Sequence, residues 1–166
     1  MSDEAQALIA QEVIDQASKL GLTVGCAESL TGGLVSSRLV EIPGASAVFR
    51  GGIVAYDSML KNDLLGVDAA ALALTGAVTA EVASAMAEGA VSRLGIDVAV
   101  ATTGVAGPDP DPVSGEAPGT VFIAVAGGAL GTLVRELSLE GDRSEIRERA
   151  TKAALQALVD GLATRE

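Results

Sequence analysis

The chain of 166 residues contains no histidine and a single cysteine, and both shortages exclude whole classes of chemistry. Without histidine there is no Ser-His-Asp or Cys-His catalysis, no His-ligated zinc site and no imidazole acid or base. Cys26 alone cannot form an internal disulfide, a CxxC redox pair or a cysteine-rich zinc site. Any nucleophile in this chain must therefore be activated by lysine, tyrosine, a carboxylate or a helix terminus.

Aromatic residues, basic residues and long apolar runs are scarce as well. With two Phe, one Tyr and no Trp, the core must be built from Ala, Val, Leu and Ile. Eleven Lys and Arg stand against twenty-two Asp and Glu, and a net charge of −11 disfavours binding to nucleic acid. The N-terminal sequence MSDEAQALIAQEV is acidic where a signal peptide is basic, and no apolar run reaches about 18 residues. We therefore expect a cytoplasmic protein that does not enter a membrane.

Helical and strand patterns alternate along the chain. Helices are expected over residues 3–20, 34–42, 58–65, 80–94 and 142–162, and strands over residues 23–27, 51–56, 97–103, 119–126 and 132–139. The last three strands are continuous apolar, β-branched runs, which are typical of strands covered on both faces. This alternation predicts an α/β fold, a single three-layer α/β/α domain over residues 1–166 with a mostly parallel or mixed sheet.

One segment breaks the regular pattern. Residues 104–118, GVAGPDPDPVSGEAP, hold four of the five prolines and lie between two predicted buried strands. Such a segment is either an ordered surface connection or an active-site loop, because it leaves the end of a strand where α/β folds bind ligands.

Ser29 is the leading candidate for a nucleophile. It lies at a strand-to-helix junction, and Thr31, Gly32 and Gly33 open the next helix. Glycines let backbone N–H groups approach a ligand, and a helix N-terminus favours negative charge, either a phosphate or the oxyanion of acyl transfer. The alternative interpretation is that Ser29 and Thr31 only cap the helix.

Tyr56 ends the second predicted strand, and Lys61 follows it in the chain. A buried lysine loses its charge readily and can act as a general base, whereas a lysine on a short helix is more often solvated. Tyr56, the one tyrosine, is either a site residue or a core residue at the end of a strand. Arg143 begins the last predicted helix, where a cation opposes the helix dipole, so that it indicates either an anionic partner or a salt bridge to a neighbouring acid. Cys26, with apolar neighbours, is more typical of a small buried residue than of a nucleophile.

Five segments in order resemble one known family. They are AESLTGG, GGIVAYDSMLKNDLLGV, GAVTAEVASAMAEGA, TTGVAGP and GDRSEIRERA, and together they cover nearly the whole chain. The chain resembles the CinA C-terminal domain family, whose stand-alone members include nicotinamide-mononucleotide amidases of the PncC type. The resemblance implies a three-layer α/β/α fold and hydrolysis of nicotinamide mononucleotide to nicotinate mononucleotide and ammonia, with no metal and no organic cofactor.

The resemblance also implies roles for individual residues. Ser29 corresponds to the nucleophile, Lys61 to its general base and Tyr56 to a hydrogen-bonding partner. The positions expected to bind the substrate are Glu28, Thr31, Gly32, Gly33, Thr103, Gly104 and Arg143. The expected partner is a small nucleotide, without nucleic acid or membrane, and an alanine-rich chain with few aromatics is compatible with a homodimer.

The segment after TTGVAGP departs from the family pattern. Family members have a glycine-rich turn followed by a Lys-Pro-Val-Gly-Thr-Val-like sequence, whereas this chain has DPDP and then EAPGTV without the lysine. This departure leaves a second interpretation open, a catalytically weak or inactive CinA-like domain that binds a nucleotide or a protein partner.

Overall fold

The structure, a computed structural model, describes residues 3–128 and 131–165. Its helices are α1 (Asp3–Leu20), α2 (Leu34–Val40), α3 (Ser58–Leu65), α4 (Ala69–Thr75), α5 (Ala80–Leu94) and α6 (Arg143–Ala163). Its strands are β1 (Val24–Glu28), β2 (Phe49–Val54), β3 (Val98–Gly104), β4 (Thr120–Ala126) and β5 (Leu133–Ser138). A 3-10 turn at Ala45–Ala47 precedes β2.

The five strands form one mixed sheet in the order β2-β1-β3-β4-β5. β1 lies between β2 and β3 and is parallel to both, so that Cys26 lies between Gly52 of β2 and Val100 of β3. β4 is antiparallel to β3 and to β5. This confirms the predicted α/β fold and decides for a mixed sheet.

Alternation along β3 and β4 separates two cores of different character. Val98 and Val100 of β3 and Ile123 of β4 face a core shared with α1, α2 and α6. The intervening residues, mainly alanines such as Ala99 and Ala124, face α3, α4 and α5. Helices therefore cover both faces of the sheet, and small residues rather than aromatics allow a close approach of α5.

Gly89 fixes the position of α3 against α5. A Cβ atom at Gly89 would lie 2.0 Å from the carbonyl oxygen of Leu65, the last residue of α3. Only glycine permits this approach of the two backbones. α3 carries Lys61, and the contact therefore helps to place that side chain at the end of the sheet.

Three expectations about the elements were wrong. β5 is an edge strand with four exposed and two half-buried residues, not a strand covered on both faces, because it pairs with β4 alone. α2 ends at Val40 and begins after Gly33, whose φ of 101° is left-handed, and neither Ser29 nor Thr31 caps it. α4, which begins at the N-cap Asp68, was not predicted.

None of the helices in the described ranges is long and apolar enough to span a lipid bilayer.

Candidate active site

The three parallel strands end at the same edge of the sheet, and the candidate residues meet there. Ser29 follows β1, Tyr56 follows β2 and Thr103 lies at the end of β3. Carboxyl ends of parallel strands are where open α/β sheets bind ligands. A cleft of about 210 Å³ opens at this edge. It is lined by Ser29, Leu30, Tyr56, Ser58, Lys61, Ala77, Val78, Thr103, Gly104, Ala106, Asp111 and Arg143.

Ser29 extends the pairing of β1 with β3 by one residue. Its amide N–H donates to the carbonyl oxygen of Thr102 at 3.0 Å, and its own carbonyl accepts from Gly32 at 3.0 Å. Both contacts fix the backbone of Ser29, whose side chain is 7% exposed at the floor of the cleft.

Lys61 reaches Ser29 from α3. Its Nζ lies 2.9 Å from Ser29 Oγ, 2.8 Å from the carbonyl oxygen of Ala55 and 3.0 Å from that of Tyr56. A neutral amine has two N–H groups and one lone pair. The two carbonyls take the two N–H groups, which leaves the lone pair for the Ser29 hydroxyl. The alternative of a solvated lysine was wrong, because Lys61 is 1% exposed.

Burial changes the acidity of Lys61. It lowers the pKa of Lys61 from 10.5 to about 8, against the opposing charges of Asp57 and Asp111. A substantial fraction of neutral amine is thus present at mildly alkaline pH, as a general base requires.

Glu28 organises the loop that follows β1. The side chain is 0% exposed, and its two oxygens accept five hydrogen bonds. Oε2 accepts from Thr31 Oγ1, Gly33 N and Val35 N, and Oε1 accepts from the amide and the hydroxyl of Ser36. One buried carboxylate therefore satisfies the first amide groups of α2 from the preceding strand.

A chain of hydroxyl groups connects this carboxylate to Ser29. Thr31 Oγ1 donates to Glu28 at 2.7 Å and lies 2.8 Å from Thr102 Oγ1, which accepts from Ser29 N at 3.3 Å. Since the hydrogen of Thr31 is used on Glu28, Thr102 is the donor to Thr31. The network holds the backbone of Ser29 in place.

Arg147 is a positioning residue that sequence reasoning missed. Its Nε donates to the carbonyl oxygen of Leu30 at 2.8 Å, and Nη2 donates to that of Thr31 at 3.1 Å. The available signal was its spacing of four residues from Arg143, which places both side chains on one face of α6.

Tyr56 and Arg143 meet at the mouth of the cleft. Arg143 Nη2 donates to the Tyr56 hydroxyl at 2.9 Å, and Nη1 donates to the carbonyl oxygen of Gly107 at 2.7 Å. Tyr56 is 58% exposed, so that it is not a core residue, and it contacts Lys61 through its carbonyl group. Arg143 forms no ion pair within the described part of the chain, contrary to the salt-bridge alternative.

The β3 end supplies the far wall of the cleft. Thr103 Oγ1 donates to the carbonyl oxygen of Ala77 at 2.7 Å, which ties the segment before α5 to the sheet. Gly104 and Ala106 continue the wall, and Asp111 adds a carboxylate from the proline-rich segment. The segment 104–118 therefore borders the cleft instead of forming a remote surface connection.

The residues predicted to bind substrate fall into two groups. Thr103, Gly104 and Arg143 line the cleft with Ser29, Lys61 and Tyr56. The others, Glu28, Thr31, Gly32 and Gly33, lie behind or beside it and do not line it. Glu28 and Thr31 are fully buried and use their oxygens on one another and on the loop. We therefore assign this second group to positioning Ser29.

Comparison with known proteins decides the family. The sequence model of the CinA C-terminal domain family matches residues 6–162. The chain belongs to this family. A CinA-like protein of Frankia casuarinae is 50% identical over 133 residues, covering 80% of this chain and 30% of the relative. A putative competence-damage inducible protein of Bacillus cereus is 41% identical over 147 residues, covering 89% and 35%. The chain thus spans about a third of the length of such relatives.

Solved CinA structures share the whole fold. The competence/damage inducible protein CihA from Agrobacterium tumefaciens is 37% identical with a TM-score of 0.90, and the alignment covers 96% of each chain. A CinA superfamily protein from Escherichia coli is 27% identical with the same TM-score, covering 96% of this chain and 92% of that one. The predicted family and its mixed α/β sheet are confirmed.

Other features of this CinA domain carry less chemistry. Cys26 is fully buried, and burial raises the pKa of its thiol, with the charge of Glu28 adding to the effect. A second groove of about 340 Å³ beside β5 and α6 is lined by apolar side chains with Arg135, Arg149 and Lys152, and holds no nucleophile. No group of three candidate metal ligands comes together within residues 3–128 and 131–165.

Proposed function

We propose that this domain is an amidase that hydrolyses nicotinamide mononucleotide to nicotinate mononucleotide and ammonia. The observation that carries the proposal is the buried contact of 2.9 Å between Lys61 Nζ and Ser29 Oγ at the floor of a cleft. A lysine with lowered basicity beside a serine hydroxyl is an arrangement for nucleophilic catalysis without histidine. The choice of substrate rests on the likeness to family amidases set out from the sequence.

In the first half-reaction Ser29 becomes acylated. Neutral Lys61 takes the proton of the Ser29 hydroxyl as Oγ attacks the carbon of the substrate carboxamide. The tetrahedral intermediate then collapses, the C–N bond breaks, and Lys61 gives the same proton to the departing nitrogen, which leaves as ammonia. The product of this step is an ester between Ser29 and the nicotinate group.

In the second half-reaction water releases the acid. Lys61, again neutral, takes a proton from water as its oxygen attacks the ester carbon. The ester bond breaks, the proton on Lys61 passes to Ser29 Oγ, and the product acid gives the other proton of the water to solvent and leaves as the nicotinate mononucleotide carboxylate. One lysine thus serves as base and acid in both steps, and the cycle consumes one water.

Two further groups suit this chemistry. The amide N–H of Leu30, which follows the nucleophile and lines the cleft, donates to no acceptor within the described residues. It is available for the oxyanion of the tetrahedral intermediate. Arg143 uses two of its five N–H groups on the protein, which leaves donors at the mouth of the cleft for the 5′-phosphate.

The direct test is release of ammonia by the purified protein from nicotinamide mononucleotide. The wild type is expected to release one ammonia for each nicotinate mononucleotide formed, and Ser29→Ala is expected to release none above background. Circular dichroism of the variant should match the wild type, since within the described residues the Ser29 side chain makes one hydrogen bond, that with Lys61. A wild type without activity contradicts the amidase and favours a nucleotide-binding domain. An active Ser29→Ala protein contradicts Ser29 as the nucleophile.

The pH dependence of kcat/KM tests Lys61 as the base. Because Lys61 must be neutral and burial lowers its pKa to about 8, activity should rise by roughly tenfold per pH unit below that value and level off above it. Initial rates at subsaturating substrate between pH 6 and pH 9.5 measure the profile. A flat profile over this range is incompatible with a lysine base.

A further inference from the structure

Asp111 is held rigidly in the segment that departs from the family pattern. Its Oδ2 accepts from Ser114 N at 2.7 Å, Ser114 Oγ at 2.8 Å and Val113 N at 3.1 Å. The backbone N–H of Asp111 donates to the carbonyl oxygen of Glu116 at 2.9 Å, and the carbonyl oxygen of Asp111 accepts from the backbone N–H of Gly115 at 2.9 Å. Burial alone would raise the pKa of Asp111, but the hydrogen bonds from Ser114 and Val113 and the charge of Lys61 lower it. The side chain is therefore a fixed, ionised carboxylate.

This carboxylate forms no salt bridge with any cationic side chain in residues 3–128 and 131–165, although the charge of Lys61 acts on it through the cleft. Asp111 is the single acidic residue among those that line the cleft. The hydrogen bonds of Lys61 Nζ go to Ser29, Ala55 and Tyr56, and those of Arg143 go to Tyr56 and Gly107. Oδ1 of Asp111 accepts no hydrogen bond from any part of the chain that the structure describes.

Within the catalytic scheme the charge of Asp111 is unfavourable. It raises the pKa of Lys61 and so opposes the neutral form that the base requires. A negative group in this position hinders the free enzyme, and its benefit must therefore come from a ligand. The ligand group that compensates an unpaired carboxylate is a cation.

We infer that Asp111 is a specificity-determining residue, whose carboxylate selects an amide substrate in which the ring that bears the amide is positively charged. The inference rests on the proposed function, in which the substrate is a pyridinium carboxamide. The ring of nicotinamide mononucleotide carries a formal positive charge, and its carboxamide must reach Ser29 at the floor of the same cleft. Asp111 then faces the cationic ring, while Arg143 remains at the mouth for the phosphate.

Binding of two ligands that differ in ring charge tests the inference. The probes are nicotinamide mononucleotide and its reduced form, whose dihydropyridine ring is neutral, titrated calorimetrically at pH 7 into Ser29→Ala protein, which cannot turn over. The Ser29→Ala protein is expected to bind the cationic form about tenfold more tightly. Adding Asp111→Asn should weaken binding of the cationic form alone and bring the ratio of the two affinities close to one. Asparagine keeps an oxygen for the hydrogen bonds from Ser114 and Val113.

Asp109→Asn is the matched control. Asp109 is an exposed carboxylate two residues away that does not line the cleft, and its replacement should leave the ratio unchanged. A second measurement needs no change at Asp111, because added salt should reduce the preference for the cationic ring. The phosphate is common to both probes and cancels in the ratio.

Three results would overturn the inference: a ratio insensitive to Asp111→Asn, an equal loss for both probes as expected from a disturbed loop, or no binding of either probe. Ammonia release by the wild type is measured separately. If the enzyme is active and its binding preference is unchanged by Asp111→Asn, the inference is refuted and the amidase proposal stands. If Asp111→Asn removes the preference but the wild type releases no ammonia, the amidase proposal is refuted and the cation site stands. In an active enzyme, Asp111→Asn should also move the pH profile of kcat/KM to lower pH, which a merely structural role would not do.

Discussion

Replacing Lys61 with methionine is expected to reduce ammonia release by about 10³-fold or more while the protein stays folded. Methionine has a similar length and fills the buried site, but its thioether sulfur is far too weak a base to accept the proton of Ser29. The variant also lacks the acid that protonates the leaving nitrogen. Steady-state rates on nicotinamide mononucleotide at pH 8.5, where wild-type Lys61 is largely neutral, measure the loss.

The same variant should change how stability depends on pH. The unfolded chain holds a proton on Lys61 up to its ordinary pKa of 10.5, whereas in the folded protein burial lowers that pKa to about 8. The unfolded state therefore binds more protons between these values, and wild-type stability gains a contribution that rises with pH through this window. The pKa difference corresponds to roughly 3 kcal/mol. The free energy of unfolding of Lys61→Met minus that of the wild type should therefore be highest near pH 7. By pH 10.5 this difference should have fallen by roughly 3 kcal/mol.

Denaturant unfolding at both pH values measures this difference, and Lys19→Met is the matched control. Lys19 is exposed on α1, and its replacement should alter neither turnover nor the pH dependence of stability. If Lys61→Met retains more than about a tenth of wild-type turnover, another group is the base. If the stability difference is the same at both pH values, Lys61 is not desolvated in the folded protein.

Glu28→Gln is expected to lower the free energy of unfolding by about 3 kcal/mol or more. The two oxygens of Glu28, which is itself inaccessible to solvent, receive hydrogen bonds from three backbone amides and two hydroxyl groups. Glutamine retains one acceptor oxygen, and its NH₂ group must face at least one backbone N–H, so that two donors meet. The cost is that of buried donors left without acceptors, together with loss of hydrogen bonds to a charged group.

Thermal unfolding followed by circular dichroism should show the Tm of Glu28→Gln lowered by roughly 10 °C. Glu41→Gln, at the opposite end of α2, provides the comparison, because Glu41 is exposed and pairs weakly with Arg38 at 3.4 Å. That variant should lie within about 0.5 kcal/mol of the wild type. Equal stability of both variants would show that the loop before α2 does not depend on the Glu28 carboxylate.

The elements themselves were largely predictable, because most of them carry a local signal. α3 has the predicted bounds, and α6 begins one residue later than predicted, at an N-cap that Asp142 forms with Glu145 in a capping box. α4 was missed because its alanine-rich sequence AAALALT has no amphipathic period. The exposure of β5 was missed because edge position depends on the order of strands in space, which a strand's own sequence does not encode.

The candidate site was predictable in part. Ser29 and Lys61 could be named from their segments, but polar neighbours such as Asn62 and Asp63 favour a prediction that the Lys61 side chain is exposed to solvent. Its burial arises because the side chain extends from α3 to the residues that follow β1 and β2, where two carbonyl groups and Ser29 surround Nζ. Arg147 was not singled out, because its contact with Leu30 joins residues 117 positions apart in the chain. Asp111 was not singled out, because only the tertiary structure places the proline-rich segment beside the cleft.

The sequence by itself determined the alternation of helices and strands, the exclusion of histidine chemistry and the family, since these depend on residue types and their local spacing. The tertiary structure alone decided which polar groups are inaccessible to solvent and which line the cleft. Burial arises from distant segments brought together, and it distinguishes Glu28, a buried structural carboxylate, from Asp111, a carboxylate that lines the cleft. The tertiary structure also brings Lys61 and Ser29, 32 residues apart in the chain, within a hydrogen bond of each other.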